Sequence, residues 1–407
     1  MKSIEQTSNF LKVDKNNNLT HIAQNDSFLD ISTLDLKDKI NQFLNSHAEI
    51  IPILNEESQV IHIVEKYKVK LPVVAKEINS KSPVKISFAG GGSDFTNFFS
   101  NHCDSKVLNT TINLFAHTKL IPRDDSIINI KIDKPERTYV FKDLEDLKKH
   151  FQQGLIKAIL SVISPPFGFD LEISLDIPRE SGLGGSSAVT SAILGAFNCV
   201  NENSWTKSDI VHLSFLIERI YFGVIGGWQD QVATTVGGFN KITFNKSSSF
   251  LVENLNSTKN DSLLNSRIYI TFTNISRSSG DVLKQQDQRS SARFKNIEQS
   301  MSLVDKMIQS ISQSNIQEFE ILLNKSWEIK KSIMNDLNET TFNEIYDLAI
   351  SKGATSGRLV GAGMGGHFVF LCSEKKSHSF VESMNEAGFS TRKVKIIDTG
   401  LESKISH

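Results

Sequence analysis

Residues Phe169 to Ile177 (FDLEISLDI) alternate strictly, with Phe169, Leu171, Ile173, Leu175 and Ile177 on one face and Asp170, Glu172, Ser174 and Asp176 on the other. That period predicts a half-buried, antiparallel strand. Pro178 ends it, and SGLGGSSAVTSAILGAFN follows from Ser181 to Asn198. From Gly185 onward Ala188, Ala192, Ile193, Ala196 and Val200 recur at helical spacing. A strand, a glycine-serine loop and a helix are thus joined within a few residues. Such a loop exposes the unpaired N–H groups of the helix start, where the dipole favours negative charge and glycine lets an anion approach. The other reading is an ordinary glycine turn with serine caps. The segment has no GK[ST], so it is not a P-loop, and it lacks the last glycine of GxGxxG, which argues against a dinucleotide fingerprint.

Two carboxylates downstream give the loop a chemical context. In TKSDIVHLSFLIERIYFGVIGGWQDQVATTVGGFN (206–240), Thr206 and Asp209 predict a capping box, Glu218 sits near the helix end, and Asp230 follows the Gly226-Gly227 bend. Phosphoryl transfer needs a carboxylate for Mg²⁺ and a group that orients or deprotonates the attacking hydroxyl. Glu218 and Asp230 fit those roles; taken singly, each also fits a helix-surface residue or an N-cap.

The rest of the 407-residue chain narrows the class. Lys plus Arg number 45 against 46 Asp plus Glu, a net charge of -1, so nothing points to nucleic acid or to a membrane surface. Cys103, Cys199 and Cys372 form no CxxC pair, and the ten histidines contain no HExxH. The N-terminus has no apolar secretory region and no apolar run approaches the ~20 residues of a membrane span, so a cytoplasmic protein is expected. Residues 1–75 carry a helical pattern over Ile31–Asn45 and a hairpin pattern in EIIPILNEESQVIHIV, followed by a polar stretch, Lys76–Lys81, that reads as a linker. Strands are expected in VKISFA, VLNTTINLFAHTKLI and SIINIKI. Helices are expected over Asn296–Ser312, Ile316–Met334 and Phe342–Ser351, then a second glycine loop, GRLVGAGMGG, a strand HFVFLC, a helix and a final strand. Strands and helices in separate blocks predict α+β rather than one doubly wound sheet.

Three segments together resemble the GHMP small-molecule kinases. Pro178-Arg-Glu-Ser-Gly182-Leu-Gly184-Gly185-Ser186-Ser187-Ala188 resembles that family's phosphate loop with one added glycine. SPVKISFAGGGSDF resembles its first motif and GATSGRLVGAGMGGHFVF its third. FAGGGSDF, ERIYFGVIGGWQDQVATTVGGFN, NISRSSGDVLKQQ and SWEIKKS are most similar to the heptose 7-phosphate kinases within it.

The resemblance implies a two-domain fold. A ribosomal-S5-like α/β domain (82–255) with a left-handed βαβ unit would be followed by a ferredoxin-like domain (265–407). It implies ATP and Mg²⁺ and a small sugar-phosphate substrate phosphorylated at its anomeric hydroxyl. Gly182, Leu183, Gly184, Gly185, Ser186 and Ser187 would hold ATP, Ser187 and Glu218 the metal. Asp230 would be the base, with Lys85 in the catalytic position where the family usually has arginine. Gly91, Gly92, Ser93, Asp94, Gly363, Gly365 and Gly366 would shape the sugar site. Arg277 is our candidate for the substrate's own phosphate, because guanidinium pairs well with that group. Met364 interrupts the third glycine loop where small residues are usual. A fucose-type sugar-1-kinase and a sugar sensor without turnover remain alternatives. EIIPILNEESQVIHIV is similar to the closing hairpin of a CBS regulatory domain, which predicts a small α/β module at 1–75. Such domains work in pairs, which leaves a homodimer open, although packing against the kinase is the favoured expectation.

Overall fold

The computed structural model describes the backbone of 10–13, 19–24, 27–30, 50–54 and 60–65, and residues 76–101, 105–133, 135–245, 250–256, 263–275, 291–332, 339–361 and 365–406. The first group is a sheet of its own. Strands β1 (Phe10–Val13), β2 (Leu19–Gln24), β3 (Ser27–Asp30), β4 (Ile50–Leu54) and β5 (Val60–Glu65) lie in the order β3-β2-β1-β4-β5. The β4–β5 hairpin is the one its sequence predicts, and β1 pairs β4 in parallel. Strands β1 to β3 have short, polar-interrupted sequences that give no clear period. The helix expected over 31–45 lies outside the described residues.

The next half runs β6 (Ile78–Ala89), α1 (Thr96–Asn101), β7 (Ser105–Pro122), β8 (Ile128–Ile132), β9 (Arg137–Phe141), α2 (Leu144–His150), α3 (Gly154–Ile163), β10 (Phe169–Leu175), α4 (Gly185–Val200), α5 (Lys207–Phe215), α6 (Gln229–Val236), β11 (Phe239–Phe244) and β12 (Phe250–Asn254). Lys76–Lys81, expected to be a linker, instead opens β6. Ile78 and Ser80 are buried and pair with Leu120 and Thr118. Alternation within a polar stretch was enough for a strand whose one face meets the core. The 18-residue β7 organises the sheet. It carries β6 along one edge and shares the other between β11 and β10. The alternation of β10 is reproduced, with Phe169, Leu171 and Ile173 buried. Its pairing is mixed rather than purely antiparallel, because β8 lies parallel to it on the side away from β7.

The C-terminal half contributes β13 (Ile268–Phe272), α7 (Ser291–Ser312), α8 (Ile316–Lys331), α9 (Glu339–Ser351), β14 (Ala354–Leu359), β15 (His367–Cys372), α10 (Ser377–Glu386) and β16 (Thr391–Lys393). Its antiparallel sheet has the order β14-β15-β13-β16, the ferredoxin-like arrangement. The chain then returns: β17 (Glu402–Ile405) pairs with β6. The C-terminal domain boundary at 407 therefore needs correction, since the last strand belongs to the sheet of the preceding half. The fold is the two-domain α+β fold its motifs imply.

Helix α4 is the pivot between the halves. Ser187, Ala188 and Thr190 through Cys199 are all buried. Its apolar residues divide between two cores. Ile193, Leu194 and Phe197 pack with β8, β10 and α3, while Ala188 and Ala192 pack with residues of β6, α7 and α8.

Candidate active site

The start of α4 is built for close approach. Gly184, at φ 73°, is its N-cap and offers no side chain to the first-turn N–H groups. Lys85 N–H donates to the Leu183 carbonyl at 2.9 Å, tying β6 to the loop. The C-terminal half clamps the loop from outside. A Cβ on Gly361 (φ 74°) would stand 2.5 Å from Gly182 Cα, so only glycine permits this contact. His367 donates to the Ser181 carbonyl from its backbone N–H at 3.1 Å and from Nδ1 at 3.0 Å. Burial holds that imidazole neutral and lowers its pKa to about 4.

Facing the loop, Lys85 Nζ lies 2.8 Å from Asp230 Oδ1. Lys85 is 2% exposed and Asp230 is 30% exposed, so the carboxylate opens to the cavity while its partner is sealed behind it. Asp230 sits in the first turn of α6, where the dipole favours its charge.

Glu218 is carried by a π-helical turn, Leu216–Tyr221, that continues α5. The Thr206–Asp209 capping box that starts α5 is present as predicted. Glu218 accepts from Ser186 Oγ at 2.9 Å and Gln231 Nε2 at 3.1 Å, and Arg219 lies 3.9 Å away. Burial nevertheless wins and raises its pKa. Ser187 Oγ is buried beside it without a well-formed hydrogen bond of its own. One carboxyl and two hydroxyls are hard oxygen donors that suit Mg²⁺, which binds through few protein ligands and completes its shell with phosphate oxygens and water. The residues therefore fit the metal that nucleotide chemistry requires.

Asp94 ends the Gly90–Asp94 turn. It accepts from Gly92 N–H, Gln229 N–H and Gln229 Nε2, each at 3.1 Å. Desolvation still raises its pKa. A Cβ on Gly227 would fall 2.0 Å from Asp94 Oδ2, so the Gly226-Gly227 bend exists to let the backbone pass this carboxyl. Arg219 donates to the carbonyls of Gly227 and Val224 and fixes the bend.

Lys85, Gly91, Gly92, Asp94, Gly182, Gly184, Gly185, Ser186, Glu218 and Asp230 thus line one cavity of about 260 Å³. Leu183 and Ser187 are buried below its surface. Ser93 is turned into the core, where its hydroxyl donates to the Gly90 carbonyl at 2.7 Å; it braces the turn rather than facing the cavity. Gly365 and Gly366 stand behind the wall, against Ile275 and Ser181. Gly363 and Arg277 lie outside the described residues. Sequence reasoning missed Gln229, Lys330, Arg358 and Gly361, all of which line the cavity. The charged end of SWEIKKS and the arginine of GRLVGAG were the available signals.

A helix start open to anions, a buried oxygen cluster for a divalent cation and a Lys–Asp pair define a small-molecule phosphotransferase. Comparison with known proteins identifies which kind. Residues 139–238 match the GHMP kinases N-terminal domain and 307–389 the GHMP kinases C-terminal domain. The D-glycero-alpha-D-manno-heptose 7-phosphate kinase of Campylobacter jejuni is 32% identical over 325 residues, 76% of this chain and 94% of that protein. The L-fucokinase/L-fucose-1-P guanylyltransferase of Bacteroides fragilis is 28% identical over 76% of this chain but only 36% of that longer protein. The fold is that of a D-glycero-D-manno-heptose 1-phosphate kinase from Bacteroides thetaiotaomicron (TM-score 0.68, 24% identity, 81% of this chain and 99% of that one). Lactococcus lactis galactokinase shares it as well (TM-score 0.61, 17% identity, 80% and 95%). The chain belongs to the GHMP kinase family and is a sugar kinase of it. Among the described residues, no helix is long and apolar enough to cross a membrane.

Proposed function

We propose that the protein transfers the γ-phosphoryl group of ATP to the anomeric hydroxyl of D-glycero-D-manno-heptose 7-phosphate, giving the 1,7-bisphosphate used to make a nucleotide-activated heptose. The observation that carries this reading is the Lys85–Asp230 pair opening into the same cavity as the α4 terminus and Asp94. The similarity to the Campylobacter jejuni heptose 7-phosphate kinase, over 94% of that protein and 76% of this chain, supports the choice of sugar.

In this reading the phosphates of ATP lie along Gly182–Ser186, on the free N–H groups of the first turn of α4. Mg²⁺, held by Glu218 with Ser186 and Ser187, neutralises phosphate charge when bound. Asp94 accepts hydrogen bonds from the sugar hydroxyls and fixes the acceptor's orientation. Asp230 Oδ receives the proton of the attacking hydroxyl. Lys85, at 2.8 Å, keeps that carboxylate oriented, and its ammonium favours the charge that develops on the transferred group. The fucokinase relative supports a second reading, in which the acceptor is an unphosphorylated sugar.

The test is ADP release from Mg-ATP across a panel of sugars and sugar phosphates, with phosphorus NMR and mass of the product. Turnover of the heptose 7-phosphate to a 1,7-bisphosphate is expected. Turnover confined to unphosphorylated sugars would establish the second reading. Tight sugar binding without turnover would make the protein a sensor.

A further inference from the structure

The acidic and basic side chains that line the cavity are equal in number but not all paired. Lys85 is paired with Asp230, and Arg219 lies within ion-pair distance of Glu218. Asp94 is held by amide donors. Two cations remain. Lys330 enters from the end of α8 and donates to the Gly361 carbonyl. Arg358 comes from β14, is 5% exposed, and donates through Nη1 to the Phe88 carbonyl and, at 2.6 Å, to Ser326 Oγ. Its Nε is buried with no hydrogen-bond partner. Among the described residues, neither cation has a carboxylate within ion-pair distance.

Two neighbouring cations with only neutral partners repel each other and lose hydration. The cost is visible: burial, then the Arg358 charge and then Lys85, push the Lys330 pKa well down, and burial lowers that of Arg358 to about 10. Among the described residues, Lys330 and Arg358 bond only to carbonyls and a hydroxyl. A dianion in the cavity would remove that cost, and guanidinium with ammonium is the pair that binds phosphate oxygens well. The phosphates of ATP already have the open terminus of α4, Lys85 and the Glu218 cluster. Arg358 is anchored instead at Phe88, the root of the Gly90–Asp94 turn where the acceptor is oriented.

We infer that Lys330 and Arg358 form a second anion subsite, which takes the acceptor's own phosphate group and makes a sugar phosphate the preferred substrate over a neutral sugar. This rests on the reaction proposed above and adds the residues that choose its substrate class. The C-terminal half would then hold the acceptor's phosphate, while Asp94 of the N-terminal half orients its hydroxyls.

The experiment separates the two sources of phosphate. Protein is saturated with a non-hydrolysable ATP analogue and Mg²⁺, which fills the donor site, and is titrated with inorganic phosphate by calorimetry. The wild type should bind phosphate, and Lys330→Met should weaken that binding at least tenfold without weakening the analogue. Lys330→Arg should restore most of it. Lys330→Met should be at least as heat-stable as the wild type, because it relieves the repulsion between Lys330 and Arg358, so lost binding will not reflect lost fold. With turnover, Lys330→Met should raise KM for the phosphorylated acceptor about 100-fold and leave KM for ATP within twofold. No phosphate binding by the analogue-loaded wild type, or equal binding by wild type and variant, would overturn the inference. So would a parallel loss of analogue affinity, which would assign the pair to the donor phosphate. Phosphate binding that depends on Lys330, in an enzyme that turns over no heptose phosphate, would sustain the subsite and sink only the assigned sugar.

Discussion

The cavity has two walls of different construction. The wall from β6, α4 and α6 works largely through backbone: open amides at α4, glycines at 182, 184 and 227, and carboxylates held by N–H groups. The wall from α8 and β14 works through two long cationic side chains anchored on carbonyls. A backbone site needs particular residues at fixed spacing, because only glycine fits the close approaches. A side-chain site needs only that two distant residues meet. The first kind tolerates little substitution; the second can be retuned by one residue without disturbing the fold.

That contrast can be broken most severely at its centre. Asp230→Asn should lower turnover by about 10²–10⁴ while ATP binding is retained, as seen by single-turnover kinetics and nucleotide titration; near-normal turnover would remove Asp230 as the base. Gly227→Ala tests the backbone wall. Its Cβ must displace Asp94, so KM for the acceptor should rise by about 100-fold, roughly 3 kcal/mol of lost transition-state binding. An unchanged KM would show that Asp94 does not orient the acceptor.

The joint between the walls should answer to acid. His367 is neutral when folded, with its pKa lowered to about 4, so the unfolded chain takes up its proton first as pH falls. Its contribution is fully present above the ordinary histidine value near 6.5 and is lost progressively down to about 4, about 3 kcal/mol in all. Urea midpoints at pH 7 and pH 5 should differ less in His367→Gln than in the wild type; an equal difference would place the acid sensitivity elsewhere. The smallest effect is expected at the metal. The Glu218 carboxyl has a raised pKa and must ionise to hold a cation, so Mg²⁺ affinity should increase with pH. Glu218→Gln should flatten that dependence and raise the Mg²⁺ requirement in the same titration.

The same contrast explains what could be read from residues alone. The strand at Phe169, the α4 loop, the Thr206 capping box and the Glu218–Asp230 pair all leave local signatures of period or spacing. The order of the C-terminal sheet followed from family resemblance. Lys330 and Arg358 left only the charges in SWEIKKS and GRLVGAG, and each looks like an ordinary charged residue until α8 and β14 bring them together. Ser93 misled for a related reason. Its place in the Gly90–Asp94 turn suggests a ligand contact, yet the turn itself needs its hydroxyl on the Gly90 carbonyl. The polar Lys76–Lys81 stretch misled because strand pairing with Lys119–His117 outweighed composition.

The pairing of β17 with β6 has a topological consequence. Ile405 lies opposite Ile78, and Ser406 N–H donates to the Glu77 carbonyl at 2.8 Å. The kinase body therefore starts and finishes at neighbouring points on one sheet edge, like a ring cut once. A short covalent joint there, with a new opening in an exposed turn such as 124–126 between β7 and β8, should yield a circular permutant that still folds.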